Sequence, residues 1–462
     1  MAKLATKKDK ITKKGLLIVF LMFHIFLLIS LKFTAWPEMT LWPYLITKGW
    51  LPYKDIAIAH TPLLLVDLTI LYKIFGVGLS QLKIYTWLLI LLTDSLLYWV
   101  VKEIWNKKIA LCSLLFYIPL QLFYEGNGLW FDLALAPIAL IIYYLIKKKD
   151  YVWAGIFWAL AFLTKQTAIY FLIPISIVFI KGLTIQKIGK LFKTSKKFIL
   201  GAISAFVISI VIIWALGFLK EFYYWAFKFG VGVLPAAQGQ INFPSLRQLA
   251  VSFLPFSIVP LIFFIKKTKE PFLLSVWILA GILGAFPRWE LFHFQPALPF
   301  LAIAGGLVVA QTKQLKPFFK ALLIGYVVLV AILFSKFYAR EWGREERFYE
   351  PEIKQIVSYI EANTEQNDKI YVLNAWDSIY ALSNTLPASR PWIPHLSWYM
   401  KLLGIQEDIV SDIDIVRPKL IVQGKYGETG LGAYKPDLID EFIRNNYKIS
   451  ESIGKYYILK QK

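Results

Sequence analysis

The residues of this 462-residue chain best suited to chemistry are few and grouped. The segment FPRWELFHFQPALPF sets Arg288 and His293 five apart, with Glu290 between them and Trp289, Phe292 and Phe294 around them. A planar guanidinium beside an imidazole suits an anion such as a phosphate or carboxylate. Arginine usage sharpens this, because the chain has eight Arg and only Arg247 and Arg288 precede residue 337. A second cation, Lys165, sits beside Gln166 in LTKQTAIYFL, in the middle of the long apolar stretch 151–180. An unpartnered ammonium there is costly, which favours a functional role over packing. A third group lies early, where AWPEMTLWPYLITKGWLPYKDIAIAHTPLL carries Glu38, Asp55 and His60. Either acid has the chemistry of a general base. Other polar residues have blander readings. Arg247 marks a loop entering a span, Asp94 a contact between helices, and Glu125, Glu221 and Asp67 solvated loop charges. Asp412 and Asp414 read as a solvated helix face.

Composition says what must position these groups. The chain is 58% apolar and 17% aromatic with mean hydropathy +0.56, too apolar for a water-soluble globule. The net charge of +21 suggests nucleic acid until it is divided. From residue 337 onward there are 16 Lys+Arg against 18 Asp+Glu, so the excess lies in the apolar part, as Lys clusters between apolar runs. That is the positive-inside pattern of a polytopic membrane protein, not a nucleic-acid footprint. The lone Cys112 excludes an intramolecular disulfide.

Six Lys precede the first apolar run, 16–33, which reads as an uncleaved span with the N-terminus cytoplasmic. Further spans are expected near 82–101, 109–124, 129–146, 198–219, 248–265, 271–286, 296–311 and 317–336. Basic clusters at 107–108, 147–149, 181–197, 266–269 and 313–316 mark the cytoplasmic side. Stretch 151–180 is Lys-rich at both flanks, so it must enter and return as a broken hairpin with Lys165 at its tip. The reading is about 11 membrane segments, with a large structured first external loop in which 63–75 lies at the interface. Glu38, Asp55, His60, Lys165, Gln166, Arg288, Glu290 and His293 then all fall on the non-cytoplasmic side.

After the charged connector AREWGREERFYE the chain changes character. Ile353, Ile356, Val357 and Ile360 keep helical spacing, 369–373 and 419–422 read as short buried strands, 436–446 as a helix and 456–459 as a last strand. The fold class is thus a polytopic α-helical membrane domain, 1–336, followed by a small exoplasmic α/β domain, 337–462. No dinucleotide fingerprint follows the first strand, which runs into NAWDS.

Taken together, these segments resemble the multi-pass, C-type glycosyltransferases that use polyprenyl-phosphate sugars, relatives of the protein O-mannosyltransferases and the lipid A aminoarabinose transferases. PEMTLWPYLITKGWLPYKDIAIAHTPLL is similar to their first external loop, with an acid ahead of a helix that ends in G-x-x-P-Y-x-D. LTKQTAIYFL is similar to their hairpin lysine, PRWELFHFQPALPF to their late Arg–His loop, and YVLNAWDSIYALSNTLPASRPW to the start of an exoplasmic α/β tail. The resemblance puts Glu38 in the place of the catalytic carboxylate, with Pro37 where an acid usually precedes it, and Asp55 at the second acidic position. It puts Lys165, Arg288 and His293 around the carrier phosphate. His60, Gln166 and Glu290, from the same segments, are candidates for substrate contact.

The function implied is transfer of a sugar from a polyprenyl-phosphate donor to an exoplasmic acceptor, a glycan, lipid or protein, at the cytoplasmic membrane. Inversion is the simpler outcome with no covalent intermediate. Glu38, Asp55, His60 and His293 have the ligand atoms for a divalent metal such as Mg2+ or Mn2+, although no spacing enforces one. Two other classes stay open: a flippase for a lipid-linked sugar, which also needs intramembrane cations, and a polymerase or ligase of lipid-linked glycans.

Overall fold

The computed structural model describes residues 2–180, 188–237, 241, 243–265, 271–286, 288–428 and 434–462. Much of basic cluster 181–197 and all of 266–269 lie outside the residues so described. The chain forms two compact units, each discontinuous in sequence. One gathers Met1–Phe33, Ile84–Ile210 and Ile241–Arg344; the other gathers Thr34–Lys83, Val211–Gln240 and Glu345–Lys462.

The first unit is helical. Leu79–Ile104, Thr194–Ala215, Leu246–Phe264, Leu291–Ala310 and Pro317–Glu341 are long and apolar enough to cross a membrane. Gly15–Ser30, Tyr151–Thr164, Gln166–Ile180 and Pro271–Leu283 are shorter apolar helices. Apolar side chains point outward as well as inward: Met22, Ile208 and Phe318 are all more than half exposed. An apolar exterior fits lipid, not water, and the chain is a multi-pass membrane protein. Helices approach closely where glycine permits it. A Cβ on Gly155 would lie 2.0 Å from the Phe198 carbonyl, and one on Gly306 2.3 Å from Ser113 Oγ.

Two interruptions matter for the site. Helix Tyr151–Thr164 ends at Lys165, whose backbone is extended, and a tight turn Gln166–Phe171 leads into helix Leu172–Ile180. The chain does return on itself, since the Tyr151 and Phe179 rings lie 5.4 Å apart and Trp158 Nε1 donates to the Ala168 carbonyl. The span expected at 296–311 is preceded by a tight turn, Leu291–Ala297, that contains Pro296 and carries His293.

The second unit holds the sheet. Strands β1 (Lys369–Leu373), β2 (Leu386–Pro387), β3 (Ile421–Gly424), β4 (Tyr447–Ile453) and β5 (Tyr456–Gln461) run in the order β2-β1-β3-β5-β4. β1 pairs in parallel with β2 and β3, whereas β3–β5 and β5–β4 are antiparallel. Helices Pro351–Asn363, Ile405–Val416 and Asp437–Asn446 accompany it, the first burying Ile353, Ile356, Val357 and Ile360. The expected strands and helices of the tail are present, with β4 added. The first-loop helices Pro37–Thr47 and Leu63–Phe75 belong to this unit and pack together, Tyr72 donating to the Met39 carbonyl. Tyr44 donates to the Thr385 carbonyl, and Ile56 bridges to Trp392, so loop one and tail form one body.

Candidate active site

In the membrane unit the two interruptions bring Lys165 and His293 together, on an acid the sequence analysis passed over. Asp132 opens helix Phe131–Lys148, where the helix dipole favours an anion. Its Oδ2 lies 2.5 Å from Lys165 Nζ and 2.7 Å from His293 Nδ1. Lys165 Nζ is also 3.1 Å from His293 Nδ1. The shorter carboxylate contact assigns the Nδ1 proton to the His293–Asp132 bond, leaving Nε2 to face other partners. All three residues are buried. Lys165 carries three N–H donors and spends one on Asp132, so two remain for a ligand. Rings enclose the group, with Phe292 4.3 Å from the His293 imidazole and Trp130 5.7 Å from Phe292.

Arg288 is not part of that triad. It is half-exposed, and its Nε binds Glu290 Oε1 at 2.8 Å. Both expected phosphate cations therefore have a carboxylate partner. Glu290 directly precedes the turn that carries His293, and Gln166 follows Lys165 directly. Arg247 is exposed at the start of helix Leu246–Phe253.

A buried polar chain supports the late loop. Gln295 Nε2 donates to the carbonyls of Gln121 and Tyr124, each at 2.9 Å. The Gln121 amide donates to Gly126 O, and its Oε1 meets His24 Nε2 at 3.2 Å. His24 Nδ1 in turn lies 2.7 Å from Asp94. Asp94 is thus a contact between helices, as expected. Gly126 is required here, because a Cβ would lie 2.2 Å from Gln121 Nε2 and 2.5 Å from Gln295 Nε2.

The carboxylates of loop one belong to the other unit. Glu38 sits half-buried in the first turn of helix Pro37–Thr47. Its charge reaches Asp377 and Tyr399, both supplied by the tail. Asp55 has a different setting. Its Oδ2 accepts from the Leu51 amide and from Arg390 Nη2, each at 2.7 Å, and Arg390 lies over the Trp50 ring. Burial works to raise the Asp55 carboxyl, but the Arg390 and Leu51 hydrogen bonds and the charges of Arg390 and Lys54 outweigh it and hold the carboxyl below its usual range. Backbone bonds repeat the tie, Trp392 N to Asp55 O and Ala57 N to Trp392 O. Asp55 therefore anchors loop one to the tail. His60 accepts on its carbonyl from Tyr53 Oη. Asp412 accepts from the Arg390 amide and Asp414 pairs with Arg417, as on a solvated face. Among the described residues no three His, Cys, Asp or Glu side chains converge as metal ligands.

Chemically, the membrane unit offers ammonium and imidazole donors in a dry, aromatic setting, suited to charge growing on a departing phosphate. The second unit offers the Glu38 carboxylate, half-buried in the first turn of its helix.

A sequence model of the family dolichyl-phosphate-mannose-protein mannosyltransferase matches residues 59–214. No curated protein matches the chain. Among solved structures, ArnT from Cupriavidus metallidurans bound to undecaprenyl phosphate superposes with a TM-score of 0.65 at 13% identity, over 96% of this chain and 98% of that one. The Archaeoglobus fulgidus oligosaccharyltransferase tethered to an acceptor peptide gives 0.53 at 12% identity, over 97% of this chain and 74% of that one. AglB from the same organism, in complex with an inhibitory peptide and a dolichol-phosphate, gives 0.52 at 12%. The chain shares their fold, and the resemblance read from its segments stands.

Proposed function

We propose that this chain is a membrane glycosyltransferase that moves a sugar from a polyprenyl-phosphate donor to an exoplasmic acceptor, with inversion at the anomeric carbon. The observation that carries the reading is the buried Asp132–Lys165–His293 group, formed where two membrane helices break. Charged side chains at such depth are retained for function. The carriers held in the ArnT and AglB structures, undecaprenyl phosphate and dolichol phosphate, are the ligand class we assign by likeness.

In this reading Lys165 and His293 bind the donor phosphate and Asp132 holds both side chains in place. Arg288 offers its two Nη groups while Glu290 fixes its Nε. Glu38 takes the proton of the acceptor hydroxyl. The acceptor oxygen bonds to the anomeric carbon as the carbon–phosphate oxygen bond breaks, and that electron pair stays on polyprenyl phosphate. The Lys165 and His293 donors stabilise the charge that gathers there. Asp55 serves by keeping loop one in shape. His60 and Gln166 remain substrate-contact candidates. We place the protein in the plasma membrane, N-terminus cytoplasmic and tail exoplasmic.

Purified protein incubated with a panel of radiolabelled polyprenyl-phosphate sugars should liberate free polyprenyl phosphate from one of them. Intact donor throughout the panel, with donor binding demonstrated, would refute the reading.

A further inference from the structure

The tail divides by charge. Between residues 337 and 418 it carries eight Lys+Arg against thirteen Asp+Glu, and from 419 onward eight against five. The basic part holds a groove of about 540 Å3, lined from helix Asp437–Asn446 and from strands β3, β4 and β5. That volume is within the usual range of small-ligand sites.

One buried acid organises the groove. Asp440 is 3% exposed. Its Oδ1 accepts from Gln423 Nε2 at 3.1 Å and from Tyr426 Oη at 3.2 Å. Its Oδ2 lies 2.9 Å from Lys435 Nζ and 3.0 Å from Arg444 Nε. These partners balance a buried carboxylate without using up the cations. Arg444 spends its Nε–H there, and among the described residues its two Nη groups have no partner. Lys435 spends one of three N–H donors. Both heads reach solvent, the Arg444 side chain being 66% exposed and that of Lys435 43%. A third cation, Lys425, has its Nζ 5.3 Å from the Tyr457 ring centre and 3.3 Å from the Gly454 carbonyl. Lys435 likewise lies 5.7 Å from the Tyr426 ring.

Three held cations thus line the groove against two acids, Asp440 and Glu428, so its net sign favours an anion. Other groups narrow the choice. Gln423 Oε1 and Tyr457 Oη make no hydrogen bond among the described residues, and they suit hydroxyls that both give and take protons. Ile449 and Leu459, opposite each other on β4 and β5, add an apolar strip. Cations match a carboxylate, the amide and phenol match hydroxyls, and the strip matches the C–H face of a sugar ring.

We propose that this groove binds an acidic saccharide unit of the acceptor, with the Arg444 Nη pair on its carboxylate and Lys425 and Lys435 beside it. That the saccharide belongs to the acceptor rests on the transferase reading above; that the groove binds it does not.

Titration calorimetry of the full-length protein in detergent tests the site with hexagalacturonate as probe, beside maltohexaose as a neutral sugar and hexa-aspartate as an anion that is not a sugar. Hexagalacturonate should bind, more weakly as salt rises, and Arg444→Gln should lose about tenfold or more in affinity. Lys435, Gln423 and Tyr426 stay on Asp440 in that variant, so it should fold. Arg444→Lys keeps the charge without the fork and should lose about threefold or more. Lys448→Gln removes the same charge from an exposed position of β4 outside the groove and should keep affinity within about twofold. Absence of hexagalacturonate binding would overturn the proposal. So would equal losses in Lys448→Gln and Arg444→Gln, or equal affinity for maltohexaose or hexa-aspartate. Hexagalacturonate bound at the groove of a protein that cleaves no polyprenyl-phosphate donor upholds the site and leaves the failure with the transferase reading. Donor cleavage without hexagalacturonate binding sinks the site and spares that reading.

Discussion

The ammonium of Lys165 lies 2.5 Å from the Asp132 carboxylate, across two helices, with both side chains withdrawn from water. The pair is neutral as a unit, so a cation is held in an apolar interior without the penalty of an isolated charge. Removing one partner is then worse than removing both. Asp132→Asn should destabilise the folded protein by roughly 3–5 kcal/mol. Adding Lys165→Met to it should restore much of the folded yield in detergent while transfer stays lost. A double variant no more stable than the single would show that charge pairing is not what Asp132 supplies.

The donor cations should separate by role. Lys165→Met keeps stem volume and should lower turnover or donor affinity by about tenfold or more. Arg288→Lys keeps charge but loses the planar fork, so donor affinity should fall while the half-exposed site leaves folding untouched. Steady-state kinetics with a labelled donor decide both. Unchanged constants would make these residues mere partners of Asp132 and Glu290.

The broken hairpin and its Lys165 tip followed from two Lys-rich flanks around one apolar stretch, and the Tyr151–Phe179 contact closes it. The Arg–His loop stood out by its composition. Asp132 did not, because GLWFDLALAP is a lone acid at the head of a span, 33 residues from Lys165 and 161 from His293. One signal was there: a buried acid in an apolar run needs a cation, and few cations were on offer. Arg390 was equally silent, since its relation to Asp55 comes from loop one folding with the tail. No local pattern encodes that. The windows at 248–265 and 296–311 hold as the crossing segments Leu246–Phe264 and Leu291–Ala310, although Pro255, Pro260 and Pro296 tighten their turns.

Asp55 and Arg390 give a test of acid sensitivity. The Asp55 carboxyl sits below its unfolded value of 3.8 in the folded protein, so its contribution is fully present above that pH. It is lost as pH falls from there through the lower folded value. Arg390 is more than half exposed, so solvent screening limits the effect to about 1 kcal/mol or less. Arg390→Met should erase this segment of the acid-unfolding curve. An unaltered curve would show that the backbone bridge at Trp392 suffices to hold the loop.

Orientation is testable with single cysteines after Cys112 is replaced by Ala. Asn363→Cys should react with an impermeant thiol reagent in intact cells, and Lys148→Cys should not. The reverse pattern would put the tail and its acids on the cytoplasmic side.

Reconstitution in liposomes with a labelled polyprenyl-phosphate sugar, with and without acceptor, separates chemistry from transport. Wild-type protein should convert the lipid to free polyprenyl phosphate as labelled sugar moves to the acceptor. Glu38→Gln should still bind the donor but release polyprenyl phosphate about 100-fold more slowly or less. Labelled lipid that crosses the bilayer intact, with no phosphate carrier released by either protein, would contradict the account and make this chain a flippase.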